Sequence, residues 1–298
     1  MRLNGILNVN KPASCTSFSV VARLRRITGE KTAGHAGTLD PMATGVLLVC
    51  LGQATRIAEY ILDFSKEYIA TIELGISTDT YDGEGRLLAC KDALSIRLSD
   101  LQQALLSFQG VIEQIPPVHS AVKVGGKPSY KLARAGLPPR LAARKVTIER
   151  IDIIEFNSPY LKVLLQCSKG TYVRSLANDL GNALGCGAYL KELVRTAVGP
   201  FKIGDAATPD RIQEYLTDGS LGGLLLPLDY PLAGWGKQVL GPEEAAAVSS
   251  GRDTRLDVAG LETAGRCRAY DPSGSFLAVM KYVPETGLWH PEKVFNLN

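Results

Sequence analysis

The apolar residues near the start of the chain follow first a strand pattern, then a helix pattern and then a strand pattern again. The short apolar run Ile6 to Val9 ends in a Lys-Pro turn and predicts a strand. Thr16 or Ser17 then predicts the N-cap of a helix that ends near Gly29. The segment VLLVCLG at 46–52 predicts a buried strand, because its apolar residues are consecutive. The apolar residues at helical spacing in the predicted helix are Val20, Val21, Leu24 and Ile27.

The middle of the chain changes irregularly between strand and helix patterns. Asp82-Gly83 predicts a turn before a strand at 86–90, and so indicates a hairpin. The other elements predicted here are strands at 68–74, 146–156 and 161–167 and helices from Ser99 to Gly110 and from Ser175 to Gly185. Short turns between strands, with helices at irregular intervals, predict an α+β fold around a mixed, mostly antiparallel sheet.

The pattern changes after the segment PLDYP at 227–231. A short helix is predicted at 243–249, and strand-like runs follow at 265–270, 275–283 and 288–296. We therefore predict a large α+β domain over residues 1–231 and a small β-rich domain over 238–298.

The residues that bind metals or cofactors in common motifs are absent or scattered. The six cysteines and three histidines form no C-x-x-C pair and no H-E-x-x-H motif, which argues against a zinc site. Neither G-x-G-x-x-G nor G-x-x-x-x-G-K-[ST] occurs, which argues against dinucleotide-binding enzymes and phosphate-loop ATPases. The N-terminus lacks the apolar region of a signal peptide, and the longest apolar run, Val46 to Leu51, is too short to span a bilayer. We expect a cytoplasmic protein without cofactor, metal or membrane partner.

The glycine-rich segment GHAGTLDPMATG at 34–45 is the first candidate site. Pro41 disfavours helical geometry at Asp40, and the glycines let the backbone approach a bulky ligand. A carboxylate between the apolar neighbours Leu39 and Met42 is a candidate nucleophile if another group keeps it ionised. An Asp-Pro pair is also a common turn, so the residues alone leave both interpretations open.

The segment 114–148, which we call the flap, is the second candidate site. It carries seven cationic residues and no acidic residue, so the net charge of +3 is an average over a basic flap and a mildly acidic remainder. The pairs Gly125-Gly126 and Pro138-Pro139 predict a mobile loop, in which Tyr130 is an interleaved aromatic residue. Such a segment suits a phosphate backbone, and a solvated basic face is the alternative. The cationic residues are Lys123, Lys127, Lys131, Arg134, Arg140, Arg144 and Lys145.

The segment KGTYVR at 169–174 is the third candidate site. Its arginine can pair with a buried carboxylate, and its tyrosine can form the wall of a pocket. Strand ends often carry such residues for structural reasons alone, and Tyr68 is by default an aromatic residue half in the core.

Six segments, taken in order, resemble the bacterial tRNA pseudouridine-55 synthases over nearly the whole chain. The most specific is GHAGTLDPMATGVLLVCLGQATR, which is similar to the catalytic signature of that family. The other five are GILNVNKPASCTS, KEYIATIELGISTDTYDGEG, PPVHSAVKVGGKPSYKLARAG, KGTYVRSLANDLG and GAYLKELVRTAVGPF. The segment 238–298, with six basic and eight acidic residues, resembles the RNA-binding PUA domain.

The resemblance implies roles for individual residues. Asp40 matches the catalytic aspartate, Arg174 the arginine that pairs with it, and Tyr68 the tyrosine that stacks on the flipped base and is implicated in proton transfer. Tyr172 and the backbone of Leu193 match positions of the base pocket. The other residues implied in substrate binding are His35 near the extruded base, Lys11 of the Lys-Pro turn, and Lys123, Lys127 and Lys131 of the flap.

By this resemblance the chain has the pseudouridine synthase fold and isomerises uridine to pseudouridine in the T-loop of tRNA. The resemblance implies tRNA as its partner and implies no protein partner. Two alternatives stay open: a synthase that depends on a guide RNA, and a non-catalytic protein that binds or folds tRNA. The chain also departs from the family pattern. Ser14 stands where a glycine is usual, His119 where a tyrosine is common, and Val194 where an arginine is frequent.

Overall fold

The computed structural model describes residues 3–256, 263 and 265–297. The α-helices of these residues are α1 Ser17–Thr28, α2 Ala58–Leu62, α3 Leu98–Leu106, α4 Ser129–Arg134, α5 Val173–Ala183, α6 Pro209–Thr217 and α7 Pro242–Ser249. The first nine strands are β1 Gly5–Lys11, β2 Ala33–His35, β3 Thr44–Leu51, β4 Lys66–Leu74, β5 Ile76–Thr78, β6 Leu87–Cys90, β7 Gly110–Gln114, β8 Lys123–Val124 and β9 Lys127–Pro128. The later strands are β10 Arg144–Asn157, β11 Tyr160–Cys167, β12 Ala188–Val198, β13 Phe201–Lys202, β14 Leu225–Leu226, β15 Gly236–Val239, β16 Arg266–Tyr270, β17 Phe276–Val283 and β18 Leu288–Val294.

The large sheet follows the strand order β14-β1-β3-β12-β4-β11-β10-β7, with β2 beside β3 and β13 beside β12. The β3–β12 pair is parallel, and the other pairs of this sheet are antiparallel. The mixed, mostly antiparallel sheet predicted from the sequence is confirmed, and so is the α+β class.

Strand β3 is buried on both of its faces. Leu47 and Val49 pack into a core shared with α1 and α5, whereas Val46 and Leu48 point into a second core behind the sheet. A strand with two buried faces is a continuous apolar run, which is why its sequence lacks alternation. The loop that precedes β3 is therefore attached to a rigid strand.

The C-terminal sheet, β15-β16-β17-β18, packs behind β3. Phe276, Val279 and Phe295 of this region lie in the same core as Val46 and Leu48. The predicted helix at 243–249 and the three predicted strands are confirmed, and β15 adds a strand parallel to β16 that the pattern did not indicate. Residues 257–262, 264 and 298 of the predicted domain 238–298, and residues 1–2 of the predicted domain 1–231, lie outside the described residues.

Several predicted boundaries are wrong. Helix α3 begins after the N-cap Arg97 and ends at Leu106, so Ser99 lies inside it and Gly110 begins β7. Ser175 lies inside α5, whose N-cap is Tyr172. The flap is not a simple loop, because it holds the β8–β9 hairpin and α4. Among the described residues, no helix is long and apolar enough to cross a membrane.

Candidate active site

The loop between β2 and β3 carries Asp40 and is fastened by two buried side chains from the N-terminal segment. Ser17 Oγ accepts a hydrogen bond from Leu39 N (2.9 Å) and donates to Leu39 O (3.1 Å). Lys11 is fully buried, which lowers the pKa of its ammonium group. That group donates to the carbonyl oxygens of Pro12 (2.9 Å), Pro41 (3.0 Å) and Ala43 (2.6 Å). Lys11 therefore holds the loop, and its contact with substrate stays a prediction.

Arg195 of β12 is hydrogen-bonded to the same loop and to the start of β3. Its buried guanidinium donates to Val46 O (2.7 Å), Gly37 O (3.0 Å) and Thr38 O (3.4 Å). Gly45 lies beside the backbone of Arg195 with φ +97°, and a Cβ there would come within 2.2 Å of Arg195 O. Only glycine fits this close approach of β3 to β12. Arg195 is absent from the site residues that the sequence predicts, because β12 also carries Lys191 and Glu192 and its pattern does not mark this arginine as buried.

Asp40 forms an ion pair with Arg174 at the N-terminal end of α5. Arg174 Nη2 donates to Asp40 Oδ1 (3.0 Å), and Nε lies 2.9 Å from Oδ2 without the alignment of a hydrogen bond. The Asp40 side chain is 30% exposed, so its carboxylate is accessible from one side, whereas the Arg174 side chain is 6% exposed. A buried guanidinium that binds a partly exposed carboxylate holds that carboxylate in a fixed orientation, with its exposed side free for a ligand.

A second carboxylate, which the sequence pattern indicated only as part of a turn, completes the arrangement. Arg174 Nη1 lies 3.2 Å from Asp82 Oδ2, and both side chains are buried. Asp82 Oδ1 accepts hydrogen bonds from Thr80 Oγ1 (2.5 Å) and Glu84 N (3.1 Å). Arg174 therefore bridges two carboxylates, and its position is fixed from the side away from Asp40.

The electrostatic environment of Asp40 has opposing contributions. Burial raises the pKa of the Asp40 carboxyl, the Arg174 guanidinium opposes that rise, and the Asp82 charge adds to it. A nucleophilic carboxylate at this position needs another group to keep it ionised, and the resemblance implies Arg174 as its partner. Arg174 acts in that direction, but burial has the larger effect on the pKa.

Tyr68 lies on β4 beside this loop. In the antiparallel register Tyr68 pairs with Arg195, and Ala70 pairs with Leu193 two residues further along β4. Tyr68 is buried, and burial raises the pKa of its phenol, so the ring is neutral at physiological pH. A buried, uncharged aromatic ring next to a carboxylate is suited to hold a planar ligand by stacking.

Two family models match the chain. The model of the TruB family pseudouridylate synthase (N terminal domain) matches residues 25–173, and that of the tRNA pseudouridylate synthase B C-terminal domain matches residues 174–233. A curated tRNA pseudouridine synthase B of Dehalococcoides mccartyi is 44% identical over 294 residues, which cover 98% of this chain and 97% of that relative. The chain belongs to the TruB family of pseudouridylate synthases.

Other similarities agree with this assignment. A tRNA pseudouridine synthase B of Pseudomonas aeruginosa is 41% identical over 280 residues, covering 93% of this chain and 91% of the relative. The structure is similar to a chain of a Cbf5-Nop10-Gar1 complex, with a TM-score of 0.72, 28% identity, and coverage of 98% of this chain and 85% of that one. The predicted pseudouridine synthase fold is thus confirmed, and this TruB-family enzyme isomerises uridine to pseudouridine in RNA.

The remaining predicted site residues of this TruB-family synthase fall into two groups. The first group lies on the elements that border the Asp40 loop, and the second lies in the flap. Tyr172, the N-cap of α5, is two residues from Arg174, and Leu193 on β12 is two residues from Arg195. His35 lies at the end of β2, and burial lowers its pKa, so it is neutral at physiological pH. The second group, which is exposed and lies in the flap, is Lys123 on β8, Lys127 on β9 and Lys131 on α4.

Proposed function

We propose that this synthase isomerises uridine 55 in the T-loop of tRNA, with Asp40 as the nucleophile and without a guide RNA. The ion pair between the half-exposed Asp40 carboxylate and the buried Arg174 is the observation that supports this proposal. The arginine opposes the effect of burial on the pKa of Asp40 and so favours the charged carboxylate, which is the form that attacks the target nucleoside.

The proposed reaction is an isomerisation that is balanced within the nucleoside. The bond between ribose C1′ and uracil N1 breaks, the base rotates, and a bond between C1′ and C5 forms. The bond that the Asp40 carboxylate makes to the nucleoside breaks again before the product leaves, which regenerates the free carboxylate. The proton lost from C5 is matched by a proton gained at N1, so no oxidant or group donor enters the reaction.

The base has to leave the folded RNA before Asp40 can reach its glycosidic bond. Extrusion of a base costs a few kcal/mol, and stacking on an aromatic ring recovers about 1–3 kcal/mol. Tyr68 offers such a ring, and Tyr172 and the backbone of Leu193 are proposed to line the rest of the base pocket. We propose further that the flap lysines contact the phosphates of the T-arm.

A guide-dependent synthase is the alternative with a specific observation behind it. One similar structure, matched with a TM-score of 0.72 and 25% identity over 98% of this chain and 85% of that one, is of an H/ACA RNP bound to a substrate RNA. The curated relatives named tRNA pseudouridine synthase B are more similar, at 44% identity, and the exposed cations of the flap offer a direct grip on tRNA. Both observations favour a synthase that acts alone.

The test uses an unmodified tRNA transcript and the purified protein without added RNA. We expect pseudouridine at position 55 with the wild type, and a rate at least about 10³-fold lower with Asp40→Asn, which keeps the side-chain shape but removes the charge. Asp210→Asn, which changes an exposed carboxylate paired with Arg23, is the matched control and should retain full activity. Activity that appears only when a guide RNA is added would favour the alternative. A fully active Asp40→Asn variant would contradict the assignment of the nucleophile.

A further inference from the structure

The flap enters and leaves the catalytic sheet at one pair of residues. Gln114 is the last residue of β7 and Arg144 the first of β10, and the two are partners in the antiparallel register. Gln114 is 2% exposed, whereas the flap lysines that follow it are on the surface. Arg144 is exposed, so this joint is buried on the Gln114 side only, and motion of the flap relative to the sheet acts on the buried Gln114.

The N-terminal end of α5 is hydrogen-bonded to the first part of the flap at three successive places. The Gln114 side chain accepts from Tyr172 N (2.8 Å) and donates to Tyr172 O (3.1 Å). Ser175 Oγ donates to Ile115 O (2.7 Å). Arg174, between these two residues of α5, donates through Nη2 to His119 O (3.0 Å).

The same part of the flap is bonded to the elements that carry its lysines. Ser129, the first residue of α4, donates from its hydroxyl to Val118 O (2.5 Å) and from its backbone N to Val122 O (2.7 Å). Tyr130 N donates to Ser120 O (3.0 Å), and Lys131 follows on the same helix. An unbroken series of short contacts thus joins α4 to the arginine that holds Asp40.

We propose that Gln114 and Ser175 are positioning residues of this enzyme, which lock the base of the flap to the N-terminal end of α5 and so set the placement of Tyr172 and Arg174 against the target base. This inference rests on the proposed function, in which the flap holds the RNA and Arg174 orients Asp40. Neither side chain touches the substrate in this assignment. Because a displacement of about 1 Å can slow an enzymatic step by up to about 10²-fold, a small shift at this joint acts on the chemical step.

The test is a single-turnover assay with enzyme in excess over unmodified tRNA. Gln114→Met keeps the length of the side chain and removes both of its hydrogen bonds, and Ser175→Ala removes one. We expect the rate constant at saturating enzyme to fall about tenfold for Gln114→Met and several-fold for Ser175→Ala, with the Kd for tRNA changed by less than about twofold. With enzyme in excess, an unfolded fraction leaves this rate constant unchanged, so a purely structural defect does not imitate the effect.

Ser158→Ala is the matched control, because it removes a similar serine-to-carbonyl bond, from Ser158 Oγ to Ala93 O (3.1 Å), away from the flap. Its rate constant should equal that of the wild type. Rate constants of the two test variants within twofold of the control, or a change in the Kd alone, would overturn the proposal. The wild-type rate on the same tRNA tests the proposed function separately, since only the ratio of variant to wild type reports on positioning.

Discussion

Ser14 adopts a backbone conformation that favours glycine, with φ +59° in the turn before α1. The family pattern has a glycine at this position, and the structure supplies the physical reason. A left-handed conformation costs a residue with a Cβ about 1–2 kcal/mol in the native state. Glycine avoids this cost, but its more flexible unfolded chain cancels part of the gain in the free energy of unfolding. We predict that Ser14→Gly raises the free energy of unfolding by up to about 1 kcal/mol, measured by urea denaturation.

The same substitution within a helix is the control for this prediction. Ser99 lies inside α3, where glycine is disfavoured, so Ser99→Gly should lower the free energy of unfolding by about 0.5 kcal/mol. If Ser14→Gly lowers the free energy of unfolding as much as Ser99→Gly does, the account of backbone strain at Ser14 is wrong.

The residues that sequence reasoning missed in the site act through other residues rather than on a ligand. Asp82 fixes Arg174, Arg195 fixes the loop that carries Asp40, and Gln114 fixes Tyr172. The two partners of each pair lie 58 to 158 positions apart in the chain, so no local spacing indicates the pair. The residues alone made Asp40 and Arg174 candidates with a structural alternative left open, and the resemblance gave roles to them and to Tyr68, because those positions belong to recognisable motifs.

At the scale of elements, local chemistry predicted some boundaries and tertiary contacts decided others. Helix α1 begins after Thr16, whose side chain accepts from Ser19 N, and ends at Gly29 in a left-handed conformation, as its sequence predicts. Helix α5 begins without a side-chain cap, and the Gln114 side chain satisfies the backbone N–H of its N-cap Tyr172 instead. Its true start was therefore not visible in the local sequence.

Strand β12, next to the centre of the large sheet, was missed altogether. Two register shifts against β4, at Leu190/Glu192 and at Arg195/Ala197, interrupt its alternation. A buried arginine in the strand interrupts it further, because a charged residue reads as exposed until its partners are known.

The flap should account for most of the salt dependence of tRNA binding. Each phosphate contact that is lost reduces the slope of log K against log salt by about 0.7–0.9. We predict that replacing Lys123, Lys127 and Lys131 with alanine weakens tRNA binding and reduces this slope by roughly two, measured by equilibrium binding at several salt concentrations. Alanine at three exposed lysines outside the flap, Lys31, Lys202 and Lys281, changes the net charge equally and should leave the slope nearly unchanged. An equal effect of both triple variants would indicate that bulk charge alone attracts the RNA.

At the scale of the whole molecule, the C-terminal sheet and the large sheet share one hydrophobic core. Phe276 and Phe295 stack with ring centroids 5.1 Å apart in the core behind β3, and Tyr60 of α2 donates to Glu292 (2.9 Å). Asn296 N donates to the Gln53 side chain (3.1 Å), so the last part of the chain is also bonded to the segment after β3. A shared core makes independent unfolding of the two parts unfavourable, because either part would expose apolar surface of the other.

We therefore predict that the chain unfolds in urea in one cooperative transition. By fluorescence, Trp289 reports on the core of the C-terminal sheet and Trp235, which packs against Tyr60, reports on the shared core. Residual activity reports on the site around Asp40. The two curves should coincide. Phe276→Ala leaves a cavity in the shared core, so it should lower the free energy of unfolding by about 3–5 kcal/mol and move both curves to lower urea together. Met280→Ala is the comparison, because Met280 lies in the core of the C-terminal part and outside the shared core. If the whole chain unfolds cooperatively, this substitution should also move both curves to lower urea. Fluorescence that changes at lower urea than activity, with activity unaffected by Phe276→Ala, would show that the C-terminal part folds and unfolds by itself.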